Sequence, residues 1–306
     1  MAVFPSVYPL ELTMFKQVLK YNKCHNPAGA KGGQFCSGDS KGAGGSLSNP
    51  PMGKFAKTAA TIFAAVMLAV NEKTFDSRSA PETIKQSAAS KEEMYKKGSE
   101  ALPLYEKFMG DVAKILDATV SYDLMQSLDD AEAGIKGPVV VIAPLKTEES
   151  FMRKVVKEND GKFDSVGDLV RGMVMVDTIA ELPQVLDALK ASGAVFARPV
   201  KNRFEKPTPS GYRDIMMNIT LPNGHIAEVQ VNTKEMVIAK ERKGHPLYAI
   251  ERELVGQIDF EKRQPTPEEA KRIKELQGAQ NEVYRAAFER SLGIRKSERV
   301  KKAWLL

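Results

Sequence analysis

Two lysines and a serine stand four residues apart in the segment APLKTEESFMRKV: Lys146, Ser150 and Lys154. A helix beginning near Thr147 carries them along one side of its first turns. A helix N-terminus offers free N–H groups and partial positive charge, both suited to phosphate. Two ammoniums and a hydroxyl beside such an end make a candidate triphosphate cradle. A solvated, charged helix face has the same pattern. Further on, VGDLVRGMVMV places Asp168 and Arg171 at the start of an apolar run. A hard divalent ion such as Mg²⁺ takes carboxylate oxygens, usually one or two of them together with substrate phosphates. Asp168 and Glu228 are candidates to share one. Asp168 as a helix cap or a surface residue fits the spacing equally well.

A hairpin supplies the second carboxylate. Tyr212–Leu221 and His225–Asn232 read as strands around the turn Pro222-Asn223-Gly224. Side chains alternate faces along a strand. Tyr212, Asp214, Met216 and Asn218 therefore share one face with Glu228, Gln230 and Asn232. Arg213, Ile215, Met217, Ile219, Ala227, Val229 and Val231 share the other, mostly apolar one. One face is core and the opposite one is rich in polar groups, which a solvated antiparallel sheet also shows.

The elements that must position these residues follow from periodicity. A short helix is predicted over Leu10–Leu19, then a Gly/Ser/Asn/Pro-rich stretch over 21–53 with no apolar face. An apolar helix is predicted over 54–71, and one or two amphipathic helices over 81–121, opening at Pro81-Glu82. From Gly137 strands and helices alternate. Strands are expected at Val139–Ala143, Leu169–Val176 and Ala194–Phe204, and helices at Thr147–Glu158, Ile179–Ser192 and Thr233–Glu241. A last helix is expected from an N-cap at Thr266 to about Leu292, followed by a basic tail. The fold class is α/β (α+β), a mixed sheet flanked by helices with helical N- and C-terminal extensions. Four regions result: 1–53, flexible and Gly-rich; 54–130, helical; 131–262, the sheet domain; and 263–306, the basic C-terminal helix and tail.

Composition bounds the rest. The chain has 306 residues, a formal net charge of +6 and 42% hydrophobic content, which suits a packed core and a polyanionic partner such as nucleotide or tRNA. Cys24 and Cys36 are the only cysteines, too few for a disulfide scaffold, and with His25 they lack a fourth ligand for structural zinc. The uncharged stretch Thr58–Val70 is shorter than the roughly 20 residues of a membrane-spanning helix. Met1–Leu10 has no basic segment ahead of an apolar one, so no secretory signal is read there.

Taken in order, the motifs are K-x₃-S-x₃-K, D-L-x-R-G, the basic strand KNRF, P-S-G-Y-R-D, E-V-Q-V-N-T and G-H-P-L-Y. This series, from Gly137 to Arg263, resembles the synthetase domain of the RelA/SpoT family, which includes small alarmone synthetases and related toxins. The resemblance implies a nucleotidyltransferase-like fold and Mg²⁺-dependent transfer of pyrophosphate from ATP to a ribose 3′-hydroxyl. It implies that Lys146, Ser150 and Lys154, with Arg153 and Arg171, bind ATP. Asp168 and Glu228 would hold Mg²⁺, and Glu228 would take the hydroxyl proton. Lys201, Arg203, Tyr212, Arg213, Gln230 and His245 would line the acceptor side, with Tyr212 stacking on the base. The sequence departs from the family pattern in three places. Asp214-Ile215-Met216 replaces Ser-Leu-His, Pro144 stands where an arginine is usual, and Arg171 is displaced to precede Gly172. With only His25, His225 and His245, the chain has no motif for alarmone hydrolysis.

Three functions stay open on these residues. One is a guanosine or adenosine alarmone synthetase acting in the host cytoplasm. A second is a tRNA 3′-end pyrophosphokinase toxin with a neutralising antitoxin. The third is a virion-associated protein with an inactive synthetase-like domain, suggested because NPAGAKGGQF resembles Gly-rich segments of tailed-phage virion proteins.

Overall fold

The computed structural model describes residues 54–293. The helix expected at Leu10–Leu19, the Gly-rich stretch with Cys24, His25 and Cys36, and the basic tail all lie outside the described residues. By internal contacts the chain divides into Met1–Ala64 and Ala65–Leu306, a boundary inside the first helix, α1 (Lys54–Lys73). Of the first unit only the helical stretch that opens α1 is described. No helix among the described residues is long and apolar enough to cross a membrane.

The second unit is built on a six-stranded sheet. Its strands are β1 (Thr119–Ser121), β2 (Val139–Ile142), β3 (Arg171–Val176), β4 (Lys201–Asn202), β5 (Ile215–Thr220) and β6 (Ile226–Thr233), in the spatial order β1-β2-β3-β6-β5-β4. β1 with β2 and β3 with β6 run parallel; the other neighbours are antiparallel. The helices are α2 (Lys91–Leu116), α3 (Leu124–Glu132), α4 (Glu148–Glu158), α5 (Leu182–Ala191), α6 (Lys234–Ala239), α7 (His245–Phe260) and α8 (Pro267–Ser291). This is the mixed α/β architecture that the sequence predicts.

The apolar face of the sheet packs on α2. Gly172 marks how closely: a Cβ there would lie 2.6 Å from the Val141 carbonyl oxygen and 2.8 Å from the Tyr105 hydroxyl. Tyr105 is fully buried, and its hydroxyl donates to the Glu228 carbonyl at 2.8 Å. The long helix therefore pins β6 at the residue whose side chain points to the opposite face. On that opposite face, Leu128 of α3 and Val237 of α6 pack over Val141 and Met175 and cover one end of the sheet.

The structure corrects the predicted elements in three places. The helix expected from Pro81 begins at Lys91, where the Ser90 hydroxyl accepts from Glu93 N at 3.2 Å. Ahead of it Gln86 runs as a bridge, donating to the Val166 carbonyl at 2.6 Å and accepting from Ile226 N at 2.7 Å. Buried backbone groups that lack a ladder partner need such a partner, and this one ties the start of β6 to the loop before β3. The short strand β1 lies in the region expected to be helical. The strand expected over Ala194–Phe204 reduces to a bridge at Phe196–Ile219 and the two residues of β4. Between those points the edge takes five steps where β5 takes three. Pro199, which has no N–H to donate, sits in that bulge.

Candidate active site

α4 starts where the sequence predicts. Thr147 is its N-cap, and its hydroxyl accepts from Ser150 N at 3.4 Å. Phe151 and Val155 of α4 bury against Met94 of α2 and against Val166 and Leu169, the residues flanking Asp168. This packing sets α4 beside the lead-in to β3, so Lys146 and Lys154 converge on one oxygen. Asp168 Oδ2 accepts from Lys146 Nζ at 2.6 Å and from Lys154 Nζ at 2.8 Å. Burial pushes the Asp168 carboxyl up, but the charges of Lys154 and Lys146 and their hydrogen bonds outweigh it and hold it below the ordinary range. Ser150 is half-buried in the first turn, where Glu148 and Glu149 add negative charge. Arg153 is exposed on α4.

Glu228 arrives from the other side. It registers opposite Arg171 on β3 and Asn218 on β5, and its backbone N donates to the Val170 carbonyl at 3.0 Å. Asn218 donates to the Gly167 carbonyl at 2.7 Å. A Cβ at Gly167 would sit 2.4 Å from Ile84 and 2.8 Å from Asn218, so a side chain there would displace the turn that presents Asp168. Glu228 Oε1 accepts from Gln230 Nε2 at 2.8 Å. Burial, then the negative charge of Asp168, pushes the Glu228 carboxyl above its ordinary value, against the pull of Gln230 and Lys154. Arg171 Nη1 lies 3.5 Å from the Asp168 carbonyl oxygen. The two carboxylates thus feel each other's charge across the parallel pair β3–β6.

Asp168 Oδ1 is buried and has no hydrogen-bond partner among the described residues. Together with Glu228 it forms an oxygen donor set that fits Mg²⁺. No three His, Cys, Asp or Glu side chains gather as a metal cage among the described residues. An ion here would therefore complete its shell with substrate phosphates and water, as Mg²⁺ commonly does.

The remaining candidates divide. Lys201 registers opposite Met216, which registers opposite Gln230, so β4 lies two strands from Glu228. Burial depresses the Lys201 ammonium, and the cations of Arg198, Arg203 and Lys154 depress it further. Arg203 forms a 2.8 Å ion pair with Asp214, a carboxylate that burial raises. Among the described residues Tyr212 makes no hydrogen bond to the carboxylate pair. Its oxygen accepts from Asn232 Nδ2 at 3.0 Å, and its ring meets Tyr284 of α8 edge-on at 5.4 Å. Arg213 turns away: its guanidinium lies 4.3 Å over the Phe288 ring and donates to the Phe204 carbonyl, and burial lowers it to about 10. His245 opens α7 on the exposed surface, with no hydrogen bond to the carboxylate pair among the described residues.

Sequence reasoning did not single out Arg198 or the Asp214–Arg203 pair. Arg198 is half-buried in the bulge before β4. Burial depresses it, while Glu228 and Asp168 hold its charge and Arg203 opposes it. A lone arginine in an otherwise apolar edge segment, followed by proline, was the available signal.

Residues 144–251 match the family model described as "Region found in RelA / SpoT proteins". The matched span opens just before Lys146 and closes after His245, so it contains every candidate residue above. No curated protein matches the chain. Among solved structures, the chain is similar to small alarmone synthetase 1 from Bacillus subtilis bound to its product pppGpp, at 15% identity, over 69% of this chain and 100% of that one, with a TM-score of 0.39. It is similar to small alarmone synthetase 2 from Bacillus subtilis at 19% identity, over 67% and 98%, with a TM-score of 0.34. The Type VI effector Tas1, solved in complex with its immunity protein, is 21% identical over 60% and 96%, with a TM-score of 0.37.

Proposed function

We propose that this protein transfers pyrophosphate from ATP to the ribose 3′-hydroxyl of a guanosine or adenosine nucleotide. The observation that carries the reading is the Asp168–Glu228 pair, ringed by Lys146, Lys154, Arg171 and Arg198, inside the span that matches the RelA/SpoT region. In the ligand-free protein the two lysines are neutralised by Asp168. On ATP binding their ammoniums transfer to phosphate oxygens, which leaves the carboxylate free. Asp168 and Glu228 would hold Mg²⁺, which supplies neutralisation of the phosphate charge.

Glu228 Oε1 is held by Gln230, so Oε2 is the atom that accepts the proton of the 3′-hydroxyl. A carboxyl raised above its ordinary value is a stronger base for that step. The ribose oxygen bonds to the β-phosphorus of ATP, the bond to the α–β bridging oxygen breaks, and AMP leaves. Lys146, Lys154 and Arg198 balance the charge on the phosphates, the kind of fixed electrostatic support on which such transfers depend.

The net charge of +6 favours a second acceptor for the same chemistry, the 3′ end of tRNA. The deciding assay gives the full chain γ-labelled ATP and Mg²⁺ with GDP, GTP, AMP, ADP or bulk tRNA in turn, beside Glu228→Gln. Label is expected on one acceptor class, reduced about 100-fold or more in the variant. Transfer to tRNA would fall steeply with salt as phosphate contacts release counterions. Folded protein that labels none of the acceptors overturns the reading.

A further inference from the structure

Helix α8 lies beyond residues 144–251, the span that matches the family, yet one stripe of it holds the loop that carries Tyr212. Asn281, Tyr284 and Phe288 are spaced three and four apart, so they share a face of the helix. Each meets a different part of that loop. Asn281 Nδ2 donates to the Pro209 carbonyl at 2.9 Å, and its Oδ1 lies 2.7 Å from where a Cβ on Gly211 would stand. Gly211 has φ +85°, so both its turn and its closeness to Asn281 require glycine. Tyr284 sets its ring edge-on to Tyr212, with centroids 5.4 Å apart and planes at 66°. Phe288 faces the Arg213 guanidinium at 4.3 Å.

The same stripe reaches the start of α7. Tyr284 is buried, and a Cβ on Gly244 would stand 2.1 Å from its hydroxyl and 2.6 Å from Cζ. Gly244 immediately precedes His245 and has ordinary helical torsions, φ −72° and ψ −42°. Its backbone does not call for glycine; the space that Tyr284 fills does. Earlier on α8, Gln277 and Gln280 donate to the two oxygens of Glu251 on α7, at 2.7 and 2.6 Å. These bonds tie α8 to α7 where Tyr284 leaves the helix. Tyr212 is thus held twice, at its hydroxyl by Asn232 and at its ring by Tyr284, so its pose is set before any ligand arrives.

We propose that Tyr284 is a positioning residue for the acceptor base. It acts through Tyr212, fixing the ring on which the base stacks, and Gly244 is the gap that admits it. The proposal rests on the pyrophosphate-transfer reading, in which Tyr212 carries that base. It extends the support of the acceptor side to a helix outside the family-matching span.

The test uses the full chain and its variants. Tyr284→Phe keeps the ring, and Tyr284→Leu removes it. Gly244→Ala displaces the ring without altering it, and Gly244→Ala/Tyr284→Leu combines the two changes. GDP, AMP and bulk tRNA are titrated calorimetrically into each protein with Mg²⁺ and a saturating non-hydrolysable ATP analogue, whose own affinity is measured first. A thermal melt checks folding. The acceptor that binds the wild-type protein is expected to lose about tenfold in affinity in Tyr284→Leu and in Gly244→Ala, the scale of a weakened base–aromatic stack, with Tyr284→Phe unchanged. The double variant should lose no more than either single one, because both changes act through one ring. Affinity for the ATP analogue should not change, whereas a general loosening of the fold would weaken both ligands. Full acceptor affinity in both Tyr284→Leu and Gly244→Ala overturns the proposal. So do equal losses for acceptor and ATP analogue, or a wild-type protein that binds none of the three acceptors. The two readings fail separately. Acceptor binding that depends on Tyr284, with no transfer of label, removes only the transferase reading. Transfer with an acceptor KM and affinity insensitive to both substitutions removes only the role of Tyr284.

Discussion

Two basic regions flank Glu228, and they balance charge in opposite ways. On the α4 side, Lys146 and Lys154 share the buried Asp168 carboxylate, with N–O distances of 2.6 and 2.8 Å. On the β4 side, Arg198 and Arg203 lower the hold of Lys201 on a proton, Arg203 also lowers that of Arg198, and among the described residues only Arg203 of the three forms a salt bridge to a carboxylate. The first region is satisfied without ligand and must exchange an internal partner for an external one. The second is unsatisfied until an anion arrives. A phosphate bound on the α4 side would exchange one partner for another, whereas an anion bound on the β4 side would relieve repulsion.

Stability measurements can break this contrast. Asp168→Asn removes the shared partner of two partly buried ammoniums and should cost about 3 kcal/mol in denaturant unfolding. A loss below 1 kcal/mol would mean the α4 side is no better balanced than the other. Because Asp168 is held below its ordinary value, its share of stability is fully present above the unfolded carboxyl range and is lost as pH falls below that range and through the lower folded value.

His225 supplies a reference outside both basic regions, just ahead of β6. It is buried, its Nε2 has no partner among the described residues, and burial followed by the Lys97 charge lowers it from 6.5 to about 4. The unfolded chain therefore binds the proton first. Stability should be full above pH 6.5 and fall by about 3 kcal/mol as pH drops toward 4, with no further fall from this group below that. His225→Gln should flatten that part of the curve, and an unchanged slope would reject the assignment.

Two further variants sharpen the β4 side. Arg198→Ala should reduce kcat about 100-fold while leaving the melting temperature unchanged or higher. A drop in both would make Arg198 structural. Lys201→Ala, which removes one cation from the crowd, should change stability by less than about 1 kcal/mol and in the stabilising direction. A clear loss would reveal a partner for Lys201.

Much of this was legible in the sequence because strand side chains alternate strictly. The shared face of Asp214, Met216, Asn218, Glu228 and Gln230 was readable from the hairpin alone, and the register pairs Asn218 with Glu228 and Met216 with Gln230. Thr266 was readable as a cap, and the start of α4 was readable at Thr147, because both signals are local. Long-range features were not. Periodicity gives no sign that Lys146 and Lys154 meet on one oxygen, because that depends on α2 packing against α4. The bulge at Pro199 broke the period by which Ala194–Phe204 was read as a strand, and it is the bulge that contains Arg198. β1, with three residues, is too short to show alternation at all.

The parallel pairing of β3 with β6 sets an order in time as well as in space. Parallel neighbours cannot be joined by a tight turn, and here the connection passes through α5, the edge segment and all of β5 before β6 returns beside β3. Contacts that close such long loops form slowly, after local ones. Thr147 can cap α4 as soon as that helix forms, but Glu228 reaches Asp168 only when the whole crossover has closed. A chain caught partway through synthesis or refolding would hold the lysines without the base. The reaction proposed here therefore waits for the last strand of its own sheet.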